Sequence, residues 1–133
     1  MTHQILVSDP ISEEGLQSLT SHPNFKVDIN TGLSEDELLK IIPDYEGLIV
    51  RSQTQVTEAI IKQAKNLKVI ARAGVGTDNI DIEAATLQGA LVINAPDGNT
   101  ISATEHSVAM ILTMARNIPQ AHASLKNKEW NRK

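Results

Sequence analysis

The 133-residue sequence contains no cysteine, which excludes a disulfide framework and a thiolate metal site and suits a reducing compartment. Aromatic residues are nearly as scarce, with one Trp, one Tyr and one Phe, so there is little to stack nucleic-acid bases or to sandwich a flavin ring. Lysine and arginine number 12 against 16 acidic residues, for a net charge of −4, and they form no basic patch. Nucleic acid is therefore not an expected partner. No apolar run is long enough to span a bilayer, and Met1-Thr2-His3-Gln4 passes into a strand-like run without a charged leader. The expectation is no membrane partner and a cytoplasmic location. The four histidines, His3, His22, His106 and His122, are scattered without the paired spacing of a metal site, so no metal is expected.

What is present is a regular alternation. Short apolar runs at Ile5 to Ser8, Lys26 to Ile29, Gly47 to Arg51, Lys68 to Arg72 and Ala90 to Asn94 read as buried strands, and amphipathic segments separate them. Helix punctuation is clearest at Ser34-Glu35-Asp36-Glu37, a capping box, and Ser102-Ala103-Thr104-Glu105 repeats its spacing. Thr57 and Asp81 are expected N-caps and Gly89 a C-terminal stop; Pro43 should close the second helix early. The last helix should run from Ser102 towards Leu125, ended or kinked at Pro119. Five βα units predict an α/β fold: a flavodoxin-like, doubly wound, parallel five-stranded sheet of order 2-1-3-4-5, with helices on both faces. Residues 1–100 carry the units, and residues 101–133 a long helix with a kinked extension. In such sheets ligands gather at the carboxyl ends of the strands, which brings Arg51, the glycine turn and Asn99 to one edge.

Three stretches at that edge bear on function. Ala73-Gly74-Val75-Gly76-Thr77-Asp78-Asn79 fails the dinucleotide fingerprint, because Asn79 stands where the third glycine belongs and Asp78 adds an opposing charge. By itself the pattern is a tight turn whose glycines permit positive φ and close approach of an anion. Arg51-Ser52 follows the buried run Gly47 to Val50 and offers a guanidinium and a hydroxyl suited to carboxylate or phosphate. A surface arginine paired with an acidic residue is an equal reading until the convergence at the sheet edge favours function. Asn94-Ala95-Pro96-Asp97-Gly98-Asn99-Thr100 is rich in turn formers, and Asn99 could donate to a substrate oxygen beside a helix N-terminus. His106 beside Glu105 reads as a structural histidine, and Met110 and Met114 with Ile111 and Leu112 as helix core or an interface stripe.

Taken in order, Val50-Arg51-Ser52, Ala73 to Asp81, Asn94-Ala95-Pro96, Asn99 and Glu105-His106 resemble the D-isomer-specific 2-hydroxyacid dehydrogenases. The resemblance covers essentially the whole chain. It implies an NAD-dependent oxidoreductase of which this chain is the first part of the substrate-binding domain. The family's inserted nucleotide-binding domain is entered shortly after a segment similar to Trp130-Asn131-Arg132-Lys133. The cofactor's own glycine loop and the catalytic Arg, Glu and His are then expected outside this chain, which alone should be inactive and bind no cofactor. Residue by residue, it implies that Arg51 and Ser52 hold the distal charged group of a small anionic hydroxyacid. The Gly74, Val75 and Gly76 amides would take its carboxylate, and Asn99 would bond the reacting region. Val75 and Ala103 would contact the cofactor, Ala103 at the nicotinamide face, and Arg132 would be lent across a dimer to a neighbouring substrate phosphate.

The rivals share the fold. A signalling receiver would need a phosphorylatable aspartate where Arg51 stands and a lysine where Asn94-Ala95-Pro96 turns. An FMN carrier would need a hydroxyl-rich first loop in place of Ser8-Asp9-Pro10-Ile11-Ser12. A stand-alone binding or self-association module would pair a copy of the apolar run Val108 to Ala115 with itself, giving a homodimer through the C-terminal helix.

Overall fold

The computed structural model describes residues 2–130. It divides into two units, residues 1–98 and 99–133. The first unit holds five strands, β1 (His3–Val7), β2 (Phe25–Ile29), β3 (Gly47–Val50), β4 (Val69–Arg72) and β5 (Leu91–Asn94), all parallel in the order β2-β1-β3-β4-β5. The expected order 2-1-3-4-5 is therefore the observed one. Strand ends differ from expectation by one or two residues: Ser8 and Arg51 lie just beyond their strands and are held there by side-chain contacts.

Alternation along the strands sorts the core into two layers. Leu6, Leu48, Val50 and Ile70 face α2 (Glu35–Ile41), α3 (Glu58–Gln63) and α4 (Ile82–Gln88), which contribute Leu38, Ile60, Ile61 and Ala85. Ile5, Val7 and Ile49 point the other way, onto Leu16 of α1 (Glu13–Thr20). Each fully buried aliphatic side chain contributes about 1.5–3 kcal/mol, so these two layers fix the sheet from whose ends the loops emerge.

Local signals behave as their chemistry requires. Ser34 and Glu37 close a reciprocal capping box on α2; Ser12, Thr57 and Asp81 accept from the amides at N3 of α1, α3 and α4. Pro43 sits in a single 3-10 turn, Ile42–Asp44, that ends α2, and Gly89 stops α4 in the left-handed region at φ 80°.

The second unit carries α5 (Thr100–Ala115) and α6 (Ile118–Lys126). Here the expectations need correction. The helix starts at Thr100 behind Asn99, so Ser102 lies inside it, its Oγ donating to Asn99 O at 3.0 Å, and the second capping box does not form. The break falls at Asn117, which turns left-handed at φ 49°, and Pro119 opens α6 from its first turn instead of ending α5. Among the described residues six α-helices result where five were expected. None of the α5 residues is buried, so Met110 and Met114 are not core. No helix among the described residues is long and apolar enough to cross a membrane, and they contain no cluster of metal-ligating side chains.

Candidate functional site

At the carboxyl end of the sheet, β3 and β4 pair Val50 with Arg72, and Ala73 N donates to Val50 O at 2.8 Å. The chains leaving the two strands therefore emerge side by side. The segment Arg51 to Thr54 then folds over Asp9, which is 1% exposed. Its carboxylate accepts from Arg51 N at 2.6 Å, Gln53 N at 3.3 Å, Thr54 N at 3.1 Å and Thr54 Oγ1 at 2.7 Å. A buried carboxylate is expensive unless its lone pairs are filled, and here backbone amides fill them. The amides of Arg51, Gln53 and Thr54 are thus spent on an internal carboxylate. Among the side chains the loop presents outward is that of Arg51, whose Nη1 donates to Pro10 O at 3.4 Å.

The carbonyls of the same loop are held from the other side by Asn79, 5% exposed. Its Nδ2 donates to Arg51 O and Thr54 O, both at 2.7 Å, and its Oδ1 accepts from Arg72 Nε at 3.1 Å. Every donor and acceptor of the amide has a partner. With Nε fixed, the remaining guanidinium nitrogens of Arg72 lie against the glycine turn, where Cζ would stand 3.2 Å from a Cβ placed on Gly74.

Within that turn, Gly74 N donates to Arg72 O at 2.9 Å, Gly74 O accepts from Ala95 N at 3.0 Å and Val75 O from Asn94 Nδ2 at 2.7 Å. The carbonyls thus turn toward the end of β5. Among the described residues nothing accepts from the Val75 and Gly76 amides. Gly74 and Gly76 do not use the positive φ that glycine permits; among the described glycines Gly32 and Gly89 do. Both residues are small for space: Gly74 for Arg72, and Gly76 for Asp78, whose Oδ1 would lie 2.8 Å from a Cβ there. Gly74 also spends its own amide, leaving two backbone donors where three were expected. Two guanidinium groups and two free amides on one edge suit an anion of more than one charge. Asp78 flanks Gly76, so an anion on these amides is favoured on the Arg72 side of the turn, where a Cβ on Gly76 would lie 3.9 Å from Arg72 Nη1.

Arg51, Ser52 and the 74–76 turn are thus brought to one edge of the first unit, with Ser52 exposed. Asn99 and Ala103 belong to the second unit: Asn99 precedes α5 without a side-chain cap bond, and Ala103 is exposed in its first turn. Arg132 lies outside the described residues. Sequence reasoning missed Asp9, Thr54, Arg72 and Asn79. Asp9 enters the sequence reading only as part of a first loop that is not hydroxyl-rich, and Asn79 only as a missing glycine. Their signal was position, polar residues set directly after or between wholly apolar buried runs.

The family described as "D-isomer specific 2-hydroxyacid dehydrogenase, catalytic domain" matches residues 5–127. The chain belongs to this family. Among family relatives, D-3-phosphoglycerate dehydrogenase of Archaeoglobus fulgidus is 52% identical over 98% of the chain, and that of Bacillus subtilis 49% over 97%. Each alignment spans 24% of the relative, so the chain covers about a quarter of the length of these curated relatives. Among solved structures, a Pyrococcus horikoshii protein matches with a TM-score of 0.84 at 30% identity, covering 98% of this chain and 39% of that one. The NAD+-bound 3-phosphoglycerate dehydrogenase of Entamoeba histolytica matches at 0.75 and 30%, covering 85% and 39%. Enzymes of this 2-hydroxyacid dehydrogenase family bind NAD, as the Entamoeba structure does. The described residues of the present chain do not fit the cofactor's pyrophosphate. The glycine turn does not open a helix, α4 begins only at Ile82, and the Asp78 carboxylate flanks Gly76.

Proposed function

We propose that this chain supplies the substrate-recognition edge of an NAD-dependent D-2-hydroxyacid dehydrogenase whose substrate is 3-phosphoglycerate, oxidised at its C2 hydroxyl to 3-phosphohydroxypyruvate on the way to serine. The observation that carries the reading is the placing of Arg51 and Arg72 at the adjacent ends of β3 and β4, joined through Asn79 and beside Val75 and Gly76 amides from which nothing accepts among the described residues. A phosphorylated hydroxyacid carries two anionic groups, and this edge offers two kinds of anion donor. The amides suit the carboxylate, Arg51 with Ser52 suits the distal phosphate, and Arg72 stands between them. The chain's part in the reaction is to orient the substrate and neutralise its charge on a rigid sheet edge. Val75, 38% exposed, offers an apolar side chain at the same turn.

Calorimetric titration tests this reading: 3-phosphoglycerate should bind at least about tenfold more tightly than glycerate, since an ionic hydrogen bond is worth roughly 1.5–3 kcal/mol. Equal affinity for the two would contradict it. The 133-residue chain alone should form no NADH from 3-phosphoglycerate and NAD, and sustained NADH formation would show that hydride transfer is housed here.

A second reading, self-association, has its own observation: Ile101, Val108, Ile111, Leu112 and Met114 of α5 are all at least half exposed. It predicts a sedimentation coefficient that rises with protein concentration, and a strict monomer throughout would exclude it.

A further inference from the structure

We infer that Asn79 is a positioning residue that sets Arg51 and Arg72 at one fixed spacing, so that the two cations act on a single polyanion as a unit. The inference rests on the proposed substrate reading and deepens it. Arg51 and Arg72 leave neighbouring strands, and the strand register aligns their backbones only as far as Val50 and Arg72. Beyond that point a long, flexible arginine is free to sample many rotamers, and each guanidinium would lose conformational freedom separately on binding. Asn79 limits that freedom at both, by fixing the backbone from which the Arg51 side chain leaves and by holding Arg72 at Nε. One side-chain amide grips the backbone of the Arg51 loop through two carbonyls, at residues 51 and 54, and the Arg72 side chain through Nε. The amide is itself immobile. Asn79 is buried, its backbone carbonyl accepts from Val56 N at 2.8 Å, and Val56 and Ile80 are bridged in parallel.

Asp9 completes the arrangement from beneath. It holds the amides of Arg51, Gln53 and Thr54 while Asn79 holds the carbonyls of Arg51 and Thr54, so the loop is pinned on both polarities. No other side chain among the described residues is hydrogen-bonded to both the Arg51 loop and Arg72. An aspartate at position 79 would keep an acceptor for Arg72 Nε and lose both donations to the loop. The two halves of the clamp are thus separable by substitution.

The experiment measures the dissociation constant of 3-phosphoglycerate for the full chain and for Asn79→Asp, each alone and combined with Arg51→Ala or Arg72→Ala. The Arg72 Nε–H resonance is followed by NMR throughout. In the native background each arginine substitution should weaken binding by about tenfold or more. In the Asn79→Asp background the Arg72 Nε–H signal should persist, Arg72→Ala should still cost about tenfold, and Arg51→Ala should cost less than about threefold. Because both effects are read within one background, the added charge of the aspartate cancels. Asn79→Ala gives the complementary result: the protected Nε–H signal is lost and both arginine effects shrink. Undiminished effects of both arginines in Asn79→Asp overturn the inference, as does equal loss of both. A native chain that binds no 3-phosphoglycerate overturns the substrate reading itself, and the inference with it, whereas native binding with unchanged arginine effects overturns the inference alone.

Discussion

At Gly74 a methyl group would meet the Arg72 guanidinium, so this glycine is explained by its neighbour and not by its own backbone angles. That distinction gives the substitution Gly74→Ala an unusual expected profile. With φ outside the left-handed region, alanine is tolerated by the backbone and the melting temperature should move little. Displacing Arg72 should nonetheless weaken 3-phosphoglycerate binding by about tenfold, the worth of one ionic hydrogen bond. Calorimetry and a thermal melt on the same sample check the split, and a large loss of stability with unchanged affinity would contradict it. The same scale shows where sequence reasoning was weakest. A glycine pair announces a tight place, but the atoms that need the room belong to Arg72 and Asp78, one preceding the pair and one following it. Asp9 was equally silent, because its partners lie more than forty residues away.

Elements were more legible than their ends. The capping box at Ser34 and the caps at Thr57 and Asp81 formed because a hydroxyl or carboxylate within reach of an N3 amide needs no tertiary help. The similar pattern at Ser102 failed because Asn99 and Thr100 start α5 earlier, which places Ser102 where its hydroxyl bonds back to Asn99 O. At the opposite end of the sheet, Glu46 at the head of β3 ties three strands together. Its Oε1 accepts from Lys68 Nζ at 2.5 Å and its Oε2 pairs with His3 Nδ1 at 2.6 Å. Hydrogen bonds from Lys68 and then His3 hold the Glu46 carboxyl below its ordinary value of 4.5. The folded state therefore binds this proton less readily than the unfolded state. The stabilisation is fully present above pH 4.5 and is lost as pH falls through the depressed folded value. Glu46→Gln should lower the urea midpoint at neutral pH, and the gap to the native chain should close on acidification. A gap independent of pH would contradict this linkage.

For the molecule as a whole, the alternation of apolar runs with capped amphipathic segments was enough to anticipate a parallel sheet of order 2-1-3-4-5, since short right-handed crossovers leave few other arrangements. It was also enough to bring Arg51 and the 74–76 turn to one edge, because both follow strands that neighbour each other in that order. It did not reveal that the loop after β3 is already occupied by an internal carboxylate, nor that one asparagine joins the two cationic strand ends. Both facts depend on contacts between residues remote in sequence. They also shift the character of the proposed site: in that reading recognition falls to arginine side chains and two amides, with Asp9 and Asn79 as the frame beneath them. The most direct measurement is an amide chemical-shift titration of the chain with 3-phosphoglycerate. Saturable shifts centred on Arg51, Arg72, Val75 and Gly76 are expected; no saturable shift, or shifts centred away from the ends of β3 and β4, would contradict the placement of the site.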